Sequence, residues 1–365
     1  MIDPSGDESE SLARELGQQN RAHIVIYGKV RHDEEYFFEP VIINLIKLKD
    51  PEQISNKIKP LVFLSTVSEM ERLEFKKQKI TETSDFVTFI LGVAKYEAEH
   101  YNEAIDIFGS IKNPIPASFF YNGNALYSLN RHDEAIQSFN GAIELDPKFV
   151  QVYINRGIAY IGLGNYQQAI KDLNKAIEIN PEYAKAYTNR GAAYGDLGNY
   201  QQAIKDLNKA IEINPEDADA YVNRGVAYEK SGNYQQAIKD YNKAIELNPK
   251  LAPAYYNRGG AYYNLGNYQS AINDYNRAIE LDPKLAPAYN NRGVAYEELG
   301  DYQQAIKDLN KVIELNPKLA EAYSNRGNAY EKSGDYQRAI ADFKIAARLG
   351  LKPAQEYLRS EGIDW

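Results

Sequence analysis

Cysteine is absent from this 365-residue sequence, which excludes a disulfide framework, a thiolate zinc site and a thiol nucleophile. Histidine is scarce, and His23, His32, His100 and His132 fall at no spacing that would gather metal ligands. There are one tryptophan and two methionines, and no apolar run approaches the ~20 residues of a membrane-spanning helix. Positive charge is outnumbered: 42 Lys and Arg against 51 Asp and Glu leave a net charge of -9, the wrong sign for a surface that neutralises phosphates. The chain opens acidic and polar rather than basic and then apolar, so no secretory leader is expected. These absences point to a cytoplasmic protein with no nucleic-acid partner and no membrane insertion.

What is abundant is tyrosine, at 30 residues, and it recurs. Pro181, Pro215, Pro249, Pro283 and Pro317 stand 34 residues apart, as do Gly157, Gly191, Gly225, Gly259, Gly293 and Gly327. A unit reads AYTNRGAAYGDLGNYQQAIKDLNKAIEINP. Apolar and small residues at helical spacing (Tyr187, Gly191, Tyr194, then Ala203, Leu207, Ala210) predict two helices, broken apart at Gly198-Asn199 and ended at Pro215. One such hairpin cannot bury its own apolar face, so neighbours must stack.

This Tyr-x3-Gly-x2-Tyr, Gly-Asn-Tyr, Ala-x3-Leu-x2-Ala, Asn-Pro pattern resembles the tetratricopeptide repeat, in its bacterial form with NRG-x-AY units. The resemblance implies an all-α, right-handed superhelical solenoid that offers a concave surface to a protein or peptide partner. Six regular units run 150–183, 184–217, 218–251, 252–285, 286–319 and 320–353, with weaker units at 116–149 and 85–115. The expected organisation is therefore an array over 85–353 and a capping helix and tail over 354–365. Before it, 1–84 should form a small α/β domain. HIVIYGKV at 23–30 and YFFEPVIINLI at 36–46 read as a β-hairpin around a polar turn at 31–35, with helices over 7–20, 51–59 and 61–79. Two strands alone are marginal in water, so this hairpin either packs on those helices or self-associates with strands of another chain.

Position 1 of each regular unit is its first residue, so Tyr153 is position 4 and Gly157 position 8. Position 6 is always asparagine: Asn155, Asn189, Asn223, Asn257, Asn291 and Asn325. At 100° per residue it points about 200° away from positions 4 and 8 of the packing seam, which predicts an amide ladder on the concave wall. An amide donates and accepts, and so can bracket a peptide group. The pattern resembles the asparagine ladder in the repeats of O-linked N-acetylglucosamine transferase, with none of that enzyme's catalytic part. Specificity should then come from positions that vary. These are position 5 (Ile154, Thr188, Val222, Tyr256, Asn290, Ser324) and position 9 (Ile158, Ala192, Val226, Gly260, Val294, Asn328). The lysines and asparagines with which some family members clamp acidic C-terminal tails are missing as a set.

Arginine at position 7 and aspartate at position 23 occur together in all six regular units, as in Arg224 and Asp240, and neither occurs in the weak units. A charge on the seam needs a partner, so the two are expected to pair between the helices of one unit. The tyrosines at positions 4, 11 and 17 read as packing residues. Nothing apart from the template suggests a catalytic constellation, a metal or a cofactor. The reading is a non-enzymatic interaction scaffold that holds an extended peptide or helix in its groove. The alternative is a sensory or regulatory subunit of a larger signalling assembly, docked on a catalytic partner through 1–84.

Overall fold

The computed structural model describes residues 83–365 and, before them, four short strands. In these, β1 (Ile24–Tyr27) pairs antiparallel with β4 (Val41–Asn44), and β2 (Arg31–Asp33) with β3 (Glu35–Phe37). Residues 31–33 and 35–37, expected as turn and strand start, thus face each other as strand. The helices expected over 7–20, 51–59 and 61–79 lie outside the described residues. Contacts divide the chain into Met1–Pro114 and Ile115–Trp365.

The first unit ends in α1 (Thr83–Glu97) and α2 (Tyr101–Gly109), a hairpin closed by Gly92 against the Phe108 ring. Asp85 accepts hydrogen bonds from the Lys112 and Asn113 backbone and ties the start of α1 to the residues after α2.

The second unit is all helix: seven hairpins and a terminal helix. They are α3 (Pro116–Ser128) with α4 (His132–Leu145), α5 (Val150–Gly162) with α6 (Tyr166–Ile179), and α7 (Ala184–Asp196) with α8 (Tyr200–Ile213). Next come α9 (Ala218–Lys230) with α10 (Tyr234–Leu247), and α11 (Ala252–Asn264) with α12 (Tyr268–Leu281). Then follow α13 (Ala286–Glu298) with α14 (Tyr302–Leu315), α15 (Ala320–Lys332) with α16 (Tyr336–Arg348), and α17 (Lys352–Ser360). Each helix packs on the next in sequence, and the first helices of successive hairpins also touch one another, from α3 on α5 to α13 on α15. The first helices therefore form one wall, which carries the ladder positions.

Small residues set the spacing. Alanines at positions 3, 10, 20 and 27, among them Ala186, Ala193, Ala203 and Ala210, are fully buried. A Cβ on Gly225 would lie 2.5 Å from the Tyr241 ring, so this crossing requires glycine. The turn within each regular hairpin needs a left-handed residue, supplied by Gly198 at φ +76° and its equivalents. Asn199 then caps α8 by accepting from the Gln202 backbone N–H.

The tyrosine expectation needs one correction. Tyr336 at position 17 is 62% exposed, because no further regular hairpin follows to cover it. The most deeply buried tyrosines are instead Tyr241 and Tyr275 at position 24. At the end of the array, α17 buries Ala354 and Leu358 against Phe343 and Ala346, and Tyr357 donates to Glu331.

Candidate functional site

Behind the first-helix wall runs a repeated charged contact. Arg224 donates from Nε and Nη2 to the two carboxylate oxygens of Asp240 at 2.8 and 2.7 Å, a bidentate fork between α9 and α10. Its Nη1 reaches back 2.7 Å to Asn208 of the preceding hairpin, and its guanidinium sits 5.4 Å from the Tyr221 ring centroid. The same arrangement joins Arg156, Arg190, Arg258, Arg292 and Arg326 to Asp172, Asp206, Asp274, Asp308 and Asp342. The Asp240 side chain is 4% exposed and that of Arg224 16%. Burial, the largest influence on Arg224, opposes its charge, but the Asp240 hydrogen bonds and charge outweigh it and hold the guanidinium above its usual pKa. In the hairpin α3–α4 the same positions are Asn122 and Ser138, which keep an uncharged version at 2.8 Å.

The link to the preceding hairpin is absent from the sequence reading, though a signal for it exists. Position 25 is asparagine in Asn140, Asn174, Asn208, Asn242, Asn276 and Asn310, each below a following Arg. It changes to Lys344 in the last unit, which no regular unit follows.

The six position-6 asparagines are half-buried on the first helices, and they are not equivalent. Asn155 donates to Asn124, Asn291 to the Tyr256 hydroxyl and Asn325 to Asn290, each in the preceding hairpin. Asn189 donates to the Lys185 carbonyl of its own helix. Asn223 and Asn257, on the neighbouring helices α9 and α11, make no hydrogen bond to another described residue, and their amides remain uncommitted.

The varying positions also separate. Thr188 is buried and donates to Asp217, the N-cap of α9. Val222 is buried in one cluster with Tyr241 and Ala244 of its own hairpin and Ala254 and Ala261 of the next. Both side chains are closed off from solvent, because at these units position 5 turns into the interface between hairpins. Tyr256, Asn290 and Ser324 are half-buried, with Asn290 donating to Asn291.

Around the uncommitted Asn257 the wall opens into a cavity of about 230 Å³, lined by Glu229 of α9, Tyr256, Gly260 and Tyr263 of α11, Tyr275 of α12 and Asn291 of α13. Glu229 is anchored through Oε2, which accepts from the Tyr241 hydroxyl at 2.9 Å. Burial raises the Glu229 pKa above the ordinary carboxylate value, against the opposing pull of that hydrogen bond and of Lys230. A larger open hollow of about 760 Å³ lies by the hairpin turns at Tyr302, Ile306, Tyr330 and Arg338, and holds no ladder residue. Among the described residues no cluster of His, Asp or Glu could hold a metal ion, and no helix is long and apolar enough to cross a membrane.

Family models for the tetratricopeptide repeat match residues 150–183, 184–217, 218–251, 286–319 and 320–349, and 240–273; models for the TPR repeat match 123–164 and 259–300. Together they run without a gap from 123 to 349. The chain belongs to the tetratricopeptide repeat family. Solved structures agree on the fold. A tetratricopeptide repeat protein from Parabacteroides merdae ATCC 43184 is 24% identical, with TM-score 0.51 over 67% of this chain and 97% of that one. The Cut9–Hcn1 hetero-tetramer of APC/C is 18% identical, with TM-score 0.58 over 74% of this chain and 55% of that one. PilF of Pseudomonas aeruginosa is 18% identical, with TM-score 0.52 over 58% of this chain and 97% of that one. No curated protein sequence matches the chain. A tetratricopeptide array of this kind is a scaffold fold consistent with protein–protein interaction.

Proposed function

We propose that this chain is a non-enzymatic scaffold that holds an extended peptide of a partner protein along its first-helix wall. The supporting observation is the pair of uncommitted amides, Asn223 and Asn257, on adjacent helices of a wall whose other ladder amides are engaged in hydrogen bonds within the chain. One repeat apart on packed helices, and so about 8 to 10 Å from each other, they are placed to bracket peptide groups two or three residues apart in an extended chain, each amide donating and accepting. Two amides making two hydrogen bonds each give a gross gain of about 2 to 6 kcal/mol. Ordering the peptide consumes much of it, and micromolar affinity corresponds to about 8 kcal/mol net, so side-chain contacts must add to the two amides for a peptide to bind at that level.

The test is selection from a displayed library of random peptides, followed by affinity measurement on wild type and on Asn223→Ala/Asn257→Ala with matched circular dichroism. Selected peptides should bind the variant at least tenfold more weakly, equivalent to about 1.4 kcal/mol. Equal affinities for the two proteins would remove the site from this wall.

A further inference from the structure

The cavity beside Asn257 collects departures from the repeat template. Position 9 is Ile158, Ala192, Val226, Val294 or Asn328 elsewhere, but glycine at Gly260. A Cβ there would lie 3.8 Å from Glu229 Oε1 and 3.9 Å from the Tyr275 hydroxyl. The space is therefore the volume of an omitted side chain, and the free oxygen of Glu229 borders it. Tyr256 is the lone tyrosine at position 5 of the regular units, and Tyr263 the lone one at position 12. At about 230 Å³ the cavity is smaller than the roughly 300–1,000 Å³ of a small-molecule site, which suits one side chain better than a cofactor.

The charge of that side chain follows from a comparison within the chain. Carboxylates occupy position 12 in three units: Glu229, Glu297 and Glu331. Glu297 is paired with Lys332 Nζ at 2.8 Å, a lysine from position 13 of the next unit. Glu331 accepts from Tyr357 at 2.6 Å. For Glu229 the residue at position 13 of the next unit is Asn264, which is neutral and donates to the Gly260 carbonyl. The neighbouring Lys230 is exposed and makes no ion pair with it. Glu229 is thus a half-buried carboxylate that feels the charge of Lys230 but has no cation in ion-pair contact, at the place where the chain's own lysine sits two units further on. Burial disfavours its charge, and an incoming ammonium would relieve that penalty. Three nearby tyrosine rings add the attraction of aromatic faces for cations within about 6 Å.

We propose that this cavity is a specificity pocket for a basic side chain, lysine above all, of the peptide bound along the wall. The assignment rests on the groove reading, and it names the chemistry by which the groove selects its partner. The peptide lysine takes the place against Glu229 that Lys332 takes against Glu297.

The experiment selects random ten-residue displayed peptides on wild type and on Gly260→Val, Glu229→Gln and Asn264→Lys. Valine at 260 restores a template-like residue, and lysine at 264 copies the internal pairing of Lys332. Circular dichroism checks that each variant keeps its helices. Peptides selected on wild type should share a lysine or arginine at one position, and changing a lysine there to norleucine should weaken binding about tenfold, equivalent to about 1.4 kcal/mol. Glu229→Gln and Asn264→Lys should still bind the norleucine peptide as wild type does, yet no longer distinguish lysine from norleucine, while Gly260→Val, which fills the cavity, should bind both peptides weakly and alike. Selected peptides with no recurring basic residue, or an Asn264→Lys protein that still distinguishes the two, would overturn the pocket and leave the groove standing. If no peptide is selected at all, the groove reading fails and the pocket falls with it.

Discussion

Replacing Arg224 with leucine removes a three-way contact and strands a buried carboxylate. Arg224 supplies two charge-assisted hydrogen bonds to Asp240 and one hydrogen bond to Asn208. Asn208 is exposed and exchanges its lost partner for water. Asp240, with a side chain 4% exposed, has no such recourse, so its desolvation dominates the cost. Removing one member of a buried ion pair costs about 3 to 5 kcal/mol, and the 16% exposure of Arg224 places this site near the lower end. Arg224→Leu/Asp240→Leu should recover a large part of the loss, since an apolar pair of similar volume is often neutral. Urea unfolding followed by circular dichroism measures the change. Because a repeat array need not unfold in one step, hydrogen exchange should place the loss in 218–251. A single variant within about 1 kcal/mol of wild type, below the range for a broken buried pair, would refute the argument. So would a double variant no more stable than the worse single.

Two further outcomes follow from packing and charge. Gly225→Ala should lower stability by about 1 to 3 kcal/mol, because the new methyl meets the fully buried Tyr241 ring. Gly195→Ala, a helical position with nothing within 4 Å, should instead gain about 0.5 to 1 kcal/mol; equal effects in urea unfolding would contradict the close approach at Gly225. Glu229, whose pKa is raised by burial from an ordinary 4.5, binds its proton more tightly folded than unfolded. Its contribution to stability is therefore greatest below pH 4.5 and declines as pH rises through its folded pKa. Glu229→Gln should remove that decline, and a wild-type advantage over the variant that grows with pH would refute it.

The hairpin array was legible because its glycines, prolines and alanines answer to backbone geometry, which repeats with the sequence. The reach of Arg224 to both Asp240 and Asn208 shows where single-unit reasoning stops. The contact within a unit follows from the joint occurrence of Arg and Asp, but the contact between units depends on stacking, and only Lys344 at the end of the array hints at it. Position 5 shows a second limit. Helical rotation places it beside the ladder in every unit, yet Thr188 and Val222 are buried by the next hairpin. Rotation within one helix carries no information about that neighbour. The cavity was illegible for a similar reason: Glu229, Gly260 and Tyr275 lie on three different helices, and their meeting depends on how those helices stack.

A repeat that spends its template residues on itself can be particular only where it departs from the template. The position-7 arginines are taken by Asp, Asn and Tyr, and the ladder amides at 155, 189, 291 and 325 are engaged within the wall. Such commitments stiffen each hairpin against its neighbour, which lowers the ordering cost that binding would otherwise carry. They also leave those groups little capacity to tell one partner from another. The remaining capacity lies at Asn223, Asn257 and the cavity that Asn257 and Asn291 help to line, within a stretch of three units. A partner read by this array is therefore expected to depend on few residues of its own, with backbone groups held by the two free amides and one side chain judged by Glu229 and the tyrosines around it.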